Sequence, residues 1–286
     1  MKNAILVVCA TFAIMGGAFA KPGDLHLRSN SALILDSQRG QVLFHKNADS
    51  VMPIASITKL MTAMVVLDAK LPLNQEIVID SADVDVIKYT RSRLRVGTRF
   101  TRGELLRLAL MSSENRAAAA LGRTYPGGLN AFVTAMNRKA FELGMGSTYF
   151  VDSTGLNSGN VSTARDLGKM VKAAHGYRLI RVFSTTAAHE VASVGKVRSR
   201  SLKKVRSRSL NFVNSNRLVR SSSWDIGVSK TGFLSEAGRC LVMHANITGK
   251  PTIIVLLDSW GKNSRIGDAN RIKKWMETGF TRKVRG

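Results

Sequence analysis

Three short strings stand in fixed order along the chain: Ser56-Ile57-Thr58-Lys59, Ser113-Glu114-Asn115 and Lys230-Thr231-Gly232. Together they offer a nucleophile, an amine able to act as a base, a polar relay and a cationic strand, which is a working set for acyl transfer. A serine hydroxyl attacks an acyl carbon only when its proton is taken up, and the Lys59 amine can take it if it is neutral part of the time. Burial in an apolar helix and a second cation nearby both lower a lysine pKa. Lys230 is the candidate second cation, placed to tune Lys59 and to attract a substrate carboxylate. Ser56, at a helix start, would lie where unpaired backbone N–H groups and the helix dipole favour an oxyanion. In the third string, Gly232 lets the backbone approach a ligand, and the Thr231 hydroxyl can hydrogen-bond a carboxylate. Singly the strings are weak, since S-x-x-K recurs at Ser193, Ser201 and Ser259 and S-x-N at Ser158 and Ser209. The ordered set carries the information.

The elements that must hold these residues can be read around them. From Ser56 to Ala69 the apolar positions Ile57, Leu60, Met61, Met64, Val65 and Leu67 leave no wide polar face, so the spacing predicts a helix buried nearly all round. Lys59 is anomalous there. It shares a face with Ser56 three residues earlier, and a lysine so placed either has a task or snorkels to solvent. A second helix opens on Thr101-Arg102-Gly103-Glu104, a capping box, and runs to Met111. Ser113 and Asn115 then fall on a short link before an alanine-rich helix from Arg116 to Leu121; plain helix capping is the alternative use for both. Strand-like runs appear near the start, Ser31 to Asp36 and Gln41 to Lys46, and near the end, Asp225 to Phe233, Arg239 to Thr248 and Thr252 to Trp260. The stretch from Ser56 to about Ile180 reads as mostly helical. The expected class is α+β, an antiparallel sheet built from both termini with a central helical block.

Composition bounds the setting. Residues 1–20 read as a cleaved secretory signal, with Lys2, an apolar run from Ala4 to about Phe19 and small residues at Ala18 and Ala20; a membrane anchor is the alternative. The mature domain would then span residues 21–286, start at Lys21 and keep Cys240 as its only cysteine, so no internal disulfide is expected. A net charge of +24 implies attraction to polyanions. An exported chain meets acidic envelope polymers before nucleic acid, so no nucleic-acid partner is expected. From Lys196 to Asn211 an eight-residue basic segment is duplicated in tandem. It reads as a solvated, mobile loop or basic hairpin, with retention of acidic envelope polymer as the sharper alternative. His26, His45, His175, His189 and His244 lack metal-ligand spacing, and His244 and Cys240, on one predicted strand, read as structural. No cofactor is expected.

The ordered motifs resemble those of the low-molecular-mass penicillin-binding proteins, the D-alanyl-D-alanine carboxypeptidase and endopeptidase family. Longer strings agree: Pro53-Ile54-Ala55-Ser56 into Thr58-Lys59-Leu60-Met61-Thr62-Ala63, Met111 to Ala118, Ser229 to Phe233, Tyr125-Pro126-Gly127-Gly128 and Ser162 to Leu167. The resemblance covers essentially the whole mature chain except the tandem repeat. It implies a β-lactamase/DD-peptidase-like fold and a serine acyl-enzyme mechanism on peptidoglycan stem peptides in the periplasm, trapped covalently by penicillins. Ser56 would match the nucleophile, Lys59 its base and Ser113 the relay to the leaving amine. Asn115, Lys230 and Thr231 would contact substrate beside Gly232, and the N–H groups of Ser56 and Phe233 would form the oxyanion hole. Glu114 departs from the commoner S-G-N or S-D-N. The endopeptidase branch matches best, because the 54 residues after Gly232 leave no room for the extra C-terminal domain of many carboxypeptidase relatives; cleavage of D-alanyl-diaminopimelyl cross-links is the expected activity. A terminal D-alanine carboxypeptidase and a non-enzymatic cationic peptidoglycan-binding protein remain alternatives. A class A β-lactamase is disfavoured, since none of Glu142, Glu190, Glu236 and Glu277 has an asparagine four residues on.

Overall fold

A computed structural model describes residues 25–198 and 203–281. The signal segment expected at residues 1–20 lies outside them. β1 (Ser29–Asp36) and β2 (Val42–Lys46) form a hairpin whose turn is fastened by Asp36, its carboxylate accepting from the N–H groups of Gln38 and Arg39. β9 (Asp225–Leu234), β10 (Gly238–Ile247) and β11 (Lys250–Ser259) complete an antiparallel sheet in the order β2-β1-β11-β10-β9. Strands from both ends of the chain therefore meet, with Leu33 opposite Val255 and Ile34 opposite Ile254.

The period of two decides what each face covers. Leu33, Val242, Val255 and Leu257 belong to the larger core, shared with the helical block. Ile34, Met243, Ile254 and Leu256 belong to a second core, closed by Ile266, Ala269, Ile272 and Met276 of α7 (Ser264–Thr281). The helical block comprises α1 (Thr58–Asp68), α2 (Arg102–Met111), α3 (Asn115–Arg123), α4 (Gly128–Glu142), α5 (Ala164–Gly176) and α6 (Arg178–Ser184). α1 is buried at every residue from Thr58 to Val66, as its lack of a polar face predicted. Leu60, Met61 and Met64 are fully covered, each contributing roughly 1.5–3 kcal/mol of burial. α2 opens on the expected capping box: Thr101 Oγ1 accepts from the Glu104 N–H, and Glu104 accepts from the Thr101 N–H in return.

The structure refines three expectations. The middle of the chain, mostly helical as expected, is interrupted by short strands. It carries the short pair β3 (Met52–Pro53) and β6 (Val161–Ser162), and it contributes β4 (Glu76–Val78) and β5 (Thr98–Thr101) to a second sheet. That sheet is completed, in the order β4-β5-β7-β8, by β7 (Ala188–Arg198) and β8 (Lys203–Val213), so the described residues of the tandem repeat belong to paired strands, the basic hairpin rather than the loop of the two expected forms. The sequence permits it: basic residues alternate with Val and Ser, a period-two pattern, and the second copy pairs antiparallel mostly with the segment just before the repeat, Glu190 opposite Asn211, and with the start of the first copy, Lys196 opposite Val205. Finally, Ser56 sits in a 3-10 turn, Ala55–Ile57, one turn before α1 proper, and Asn115 is already the first residue of α3. Among the described residues, no helix is long and apolar enough to cross a membrane.

Candidate active site

Ser56 enters its position through a strained residue. Ala55 has φ +48°, a left-handed conformation that costs a non-glycine residue roughly 1–2 kcal/mol. Two glycines hold it there. A Cβ on Gly155 would lie 2.1 Å from the Ala55 carbonyl oxygen, and one on Gly232 would lie 2.9 Å from that of Ile54. No side chain fits at either point, so the Gly155 loop and β9 clamp the backbone before the serine from two sides.

Lys59 is fully buried and projects from α1 toward Ser56. Its Nζ lies 2.8 Å from Ser56 Oγ, 2.7 Å from Asn115 Oδ1 and 2.6 Å from the Thr154 carbonyl oxygen. The last two partners can only accept. An ammonium satisfies all three contacts as a donor; a neutral amine keeps two N–H bonds, to Asn115 and Thr154, and turns its lone pair to the serine hydroxyl. Burial brings the Lys59 pKa down to about 8, against the opposing pull of the Asp152, Glu114 and Asp85 carboxylates. A shift of that size corresponds to roughly 3 kcal/mol against the charged form.

Lys230, on β9, is buried as well, and donates to Ser113 Oγ at 2.8 Å and to the Thr231 carbonyl at 2.9 Å. Its pKa lies well below the ordinary lysine value, first through burial and then through the charges of Lys59 and Arg265. The two buried lysines thus disfavour each other's charge. The carboxylates beside Lys59 favour its charge, and Lys230 has none to match them. Ser113 has φ +61°, which turns its hydroxyl toward Lys230 between α2 and α3. Thr231 Oγ1 donates to Ser215 Oγ at 2.8 Å. β9 is the edge strand of its sheet, so its outward N–H groups lack a strand partner, and Phe233 is exposed at that edge under the Arg239 guanidinium.

All the residues singled out from the sequence therefore meet around one cleft between the helical block and β9. Ser56, Lys59 and Asn115 form one hydrogen-bonded group, Lys230 and Ser113 another, and Gly232 abuts the Ile54-Ala55 backbone. Glu114, the unusual middle residue, is buried away from the lysines' hydrogen bonds and accepts from Ser92 Oγ; burial raises its pKa. It ties the segment 84–97 to the start of α3. The same segment donates an acceptor to Asn115, whose Nδ2 bonds Thr90 Oγ1 at 2.9 Å, and reaches the β9–β10 turn through the Lys88–Glu236 ion pair.

Sequence reasoning missed three contributors. The loop Asp152-Ser153-Thr154-Gly155 supplies the carbonyl acceptor for Lys59 and the clamp on Ala55, and Asp152 shapes it by accepting from the N–H groups of Thr154, Gly155 and Asn157. Its Asp-x-x-Gly spacing is a turn signature that could have flagged it. Arg265 of α7 donates to the carbonyls of Gly232 (2.6 Å) and Cys240, and burial holds its pKa down to about 10. It sets a third cation beside the Lys230 strand. Ser215, exposed next to Thr231, had no signal.

Cys240 is buried and free, with a thiol pushed up to about 11. His175 and His244, far apart in sequence, stack with centroids 3.7 Å apart, and burial holds His244 down to about 4, so it is uncharged near neutrality. Among the described residues, no group of three or more His, Cys, Asp or Glu could hold a metal ion.

Residues 18–261 match the D-alanyl-D-alanine carboxypeptidase family. The chain is 48% identical to a D-alanyl-D-alanine endopeptidase of Pseudomonas aeruginosa, over 98% of this chain and 90% of that protein. It is 46% identical to a D-alanyl-D-alanine endopeptidase of Escherichia coli, over 88% and 78% respectively. Among solved structures, a Streptomyces DD-transpeptidase superposes with a TM-score of 0.79 at 30% identity, covering 90% of this chain and 98% of the other. An ampicillin-bound penicillin-binding protein from Listeria monocytogenes gives a TM-score of 0.72 at 29% identity, covering 90% and 99%.

Proposed function

This chain belongs to the D-alanyl-D-alanine carboxypeptidase family of serine peptidases, and on that premise we propose that it is an endopeptidase cleaving D-alanyl-diaminopimelyl cross-links of peptidoglycan. The observation that carries the chemistry is the Lys59 amine, 2.8 Å from Ser56 and fixed by two obligate acceptors. The neutral amine accepts the Ser56 proton as Oγ attacks the D-alanyl carbonyl, and the oxyanion settles toward the N–H groups of Ser56 and Phe233. Ser113, backed by Lys230, passes a proton to the departing amine, and water then releases the acyl group from Ser56.

Lys230, Thr231 and Arg265 form the cationic end of the cleft and receive the carboxylate next to the scissile bond; Asn115 and Gly232 line its path. A carboxylate arriving there favours the charged form of Lys230, and that charge opposes protonation of Lys59. Substrate binding thus primes the base. Penicillins, which also present a carboxylate beside a reactive carbonyl, acylate the same serine. Support for the endopeptidase branch comes from identity: the relatives at 48% and 46% carry that name, and a carboxypeptidase-named relative stands at 33%.

Residues 1–20 act as a cleaved export signal that delivers residues 21–286 to the periplasm, where the substrate lies. The basic strands β7 and β8 add attraction for acidic envelope polymers, a reading supported by their composition and by the net charge. Deleting one copy of the repeat lowers polymer retention at low salt if this holds.

The test is mass spectrometry of products from a mixture of cross-linked muropeptide dimers and uncross-linked pentapeptides, with a Ser56→Ala control. Conversion of dimers to monomers, absent in the control, is the expected result. Loss of only the terminal alanine would make the enzyme a carboxypeptidase, and no Ser56-dependent change would leave a binding protein.

A further inference from the structure

Beside Ser113 lies a cavity of about 510 Å³ whose lining includes Ser113 and Asn115 but neither Ser56 nor Lys59. Its floor is Ser112–Asn115, one wall is the segment Arg91–Arg93 and the other is Phe212 and Val213 at the end of β8. Two cations face it. Arg93 is committed to the wall: its guanidinium lies 4.1 Å from the Phe212 ring centroid and donates to the Asn211 carbonyl. Arg91 is exposed and makes no hydrogen bond or ion pair among the described residues. The chain just before it is nevertheless fixed. Asp85 accepts from the N–H groups of Ile87, Lys88 and Thr90, and Thr90 bonds Asn115. Arg91 thus lines the cavity from a fixed stretch of backbone, with its guanidinium uncommitted. Glu114 is the one acid in the lining, and its carboxylate is buried and accepts from Ser92.

The position of the cavity relative to Ser113 assigns its occupant. Ser113 hands its proton to the departing amine, so whatever is attached to that amine must lie on the Ser113 side. A terminal D-alanine brings only a methyl and a carboxylate, too little to need such a space. A cross-link brings a diamino acid that continues into a second stem peptide with further carboxylates. We propose that this cavity is the leaving-group subsite for the carboxylate-bearing peptide of a cross-link, with Arg91 as the residue that selects it. The assignment rests on the endopeptidase reading above. A guanidinium can hold a carboxylate through two parallel N–H bonds, which lysine cannot reproduce.

The experiment compares kcat/KM for a cross-linked muropeptide dimer with that for a short acyl-D-alanyl-D-alanine peptide in the wild type, Arg91→Lys, Arg91→Ala and Arg91→Glu. Fluorescent penicillin counts folded, competent sites in each. The dimer-to-peptide ratio is expected to fall about ten-fold in Arg91→Ala, further in Arg91→Glu and less in Arg91→Lys. A dimer amidated at its free carboxylates, except the one next to the scissile bond that Lys230 receives, should bring the wild type down to the ratio of Arg91→Ala. An unchanged ratio in Arg91→Glu, with the wild type cleaving dimers, overturns the subsite alone. A wild type that turns over the short peptide and leaves dimers intact overturns the endopeptidase reading and the subsite with it.

Discussion

Two buried charge networks sit on opposite faces of the main sheet. Under α7, the carboxylate of Asp268 is wholly buried and accepts from the N–H groups of Arg28 (3.0 Å) and Ser29 (2.8 Å), from Ser29 Oγ (2.6 Å) and from Arg271. On the other face, Lys59 and Lys230 are equally buried, yet neither has a carboxylate within hydrogen-bond reach; their partners are hydroxyls, an amide and carbonyls. The first network surrounds a charge with fixed donors and fastens β1 to α7. The second leaves its charge poorly supported, so a proton can leave at modest cost. Saturation makes a buried charge structural, and incomplete compensation makes it reactive.

Four substitutions or conditions test that contrast. Replacing Lys59 by Met, similar in size and neutral, should lower penicillin acylation about 10³-fold while leaving the melting temperature nearly unchanged, because a buried cation and its hydrogen bonds are lost together. Stopped-flow acylation and calorimetry on the same sample decide it; a large loss of stability would mean that Lys59 is structural. Gly155→Ala comes next. The added methyl displaces the Ala55 carbonyl and swings Ser56 off line, and acylation should fall about 10²-fold with the fold retained by circular dichroism.

The pH profile follows from Lys59. With its pKa near 8, the amine is protonated below that pH and cannot accept the serine proton, so acylation should drop about ten-fold per unit on going more acid and level off above it. A rate flat from pH 6 to pH 9 would remove Lys59 as the base. Asp268→Asn should have the smallest effect on chemistry, with acylation per folded molecule unchanged, and should cost about 2–4 kcal/mol in urea unfolding. Loss of acylation in molecules that remain folded would show that the two networks are coupled.

The same contrast explains what was legible in the sequence. Strands at both ends were visible because short continuous apolar runs such as Ala32 to Leu35 and Ile253 to Leu256 are local patterns, and the three motifs were visible because their members are close in the chain. The α1 lysine stood out against its apolar neighbours. The Thr154 carbonyl did not, since a backbone acceptor has no letter of its own and reaches Lys59 only across 95 positions. Arg265 was hidden for a similar reason: it looks like one more basic residue of a surface helix until α7 brings it to Gly232. In the tandem repeat, basic composition left a loop and a hairpin both open, and its alternation favoured the hairpin.

The order of strands in the main sheet has a consequence in time. Ser56 and Lys59 emerge from synthesis long before β9, the strand bearing Lys230 and Gly232, and β1 cannot take its place until β11 arrives beside it. A nascent chain ending before Asp225 holds Ser56 and Lys59 but neither Lys230 nor Gly232, one of the two glycines that clamp the backbone before Ser56. If the proposed mechanism holds, reactivity waits for β9 to be made, and because pairing β1 with β11 closes a very long loop, maturation is expected to be slow compared with the local formation of α1.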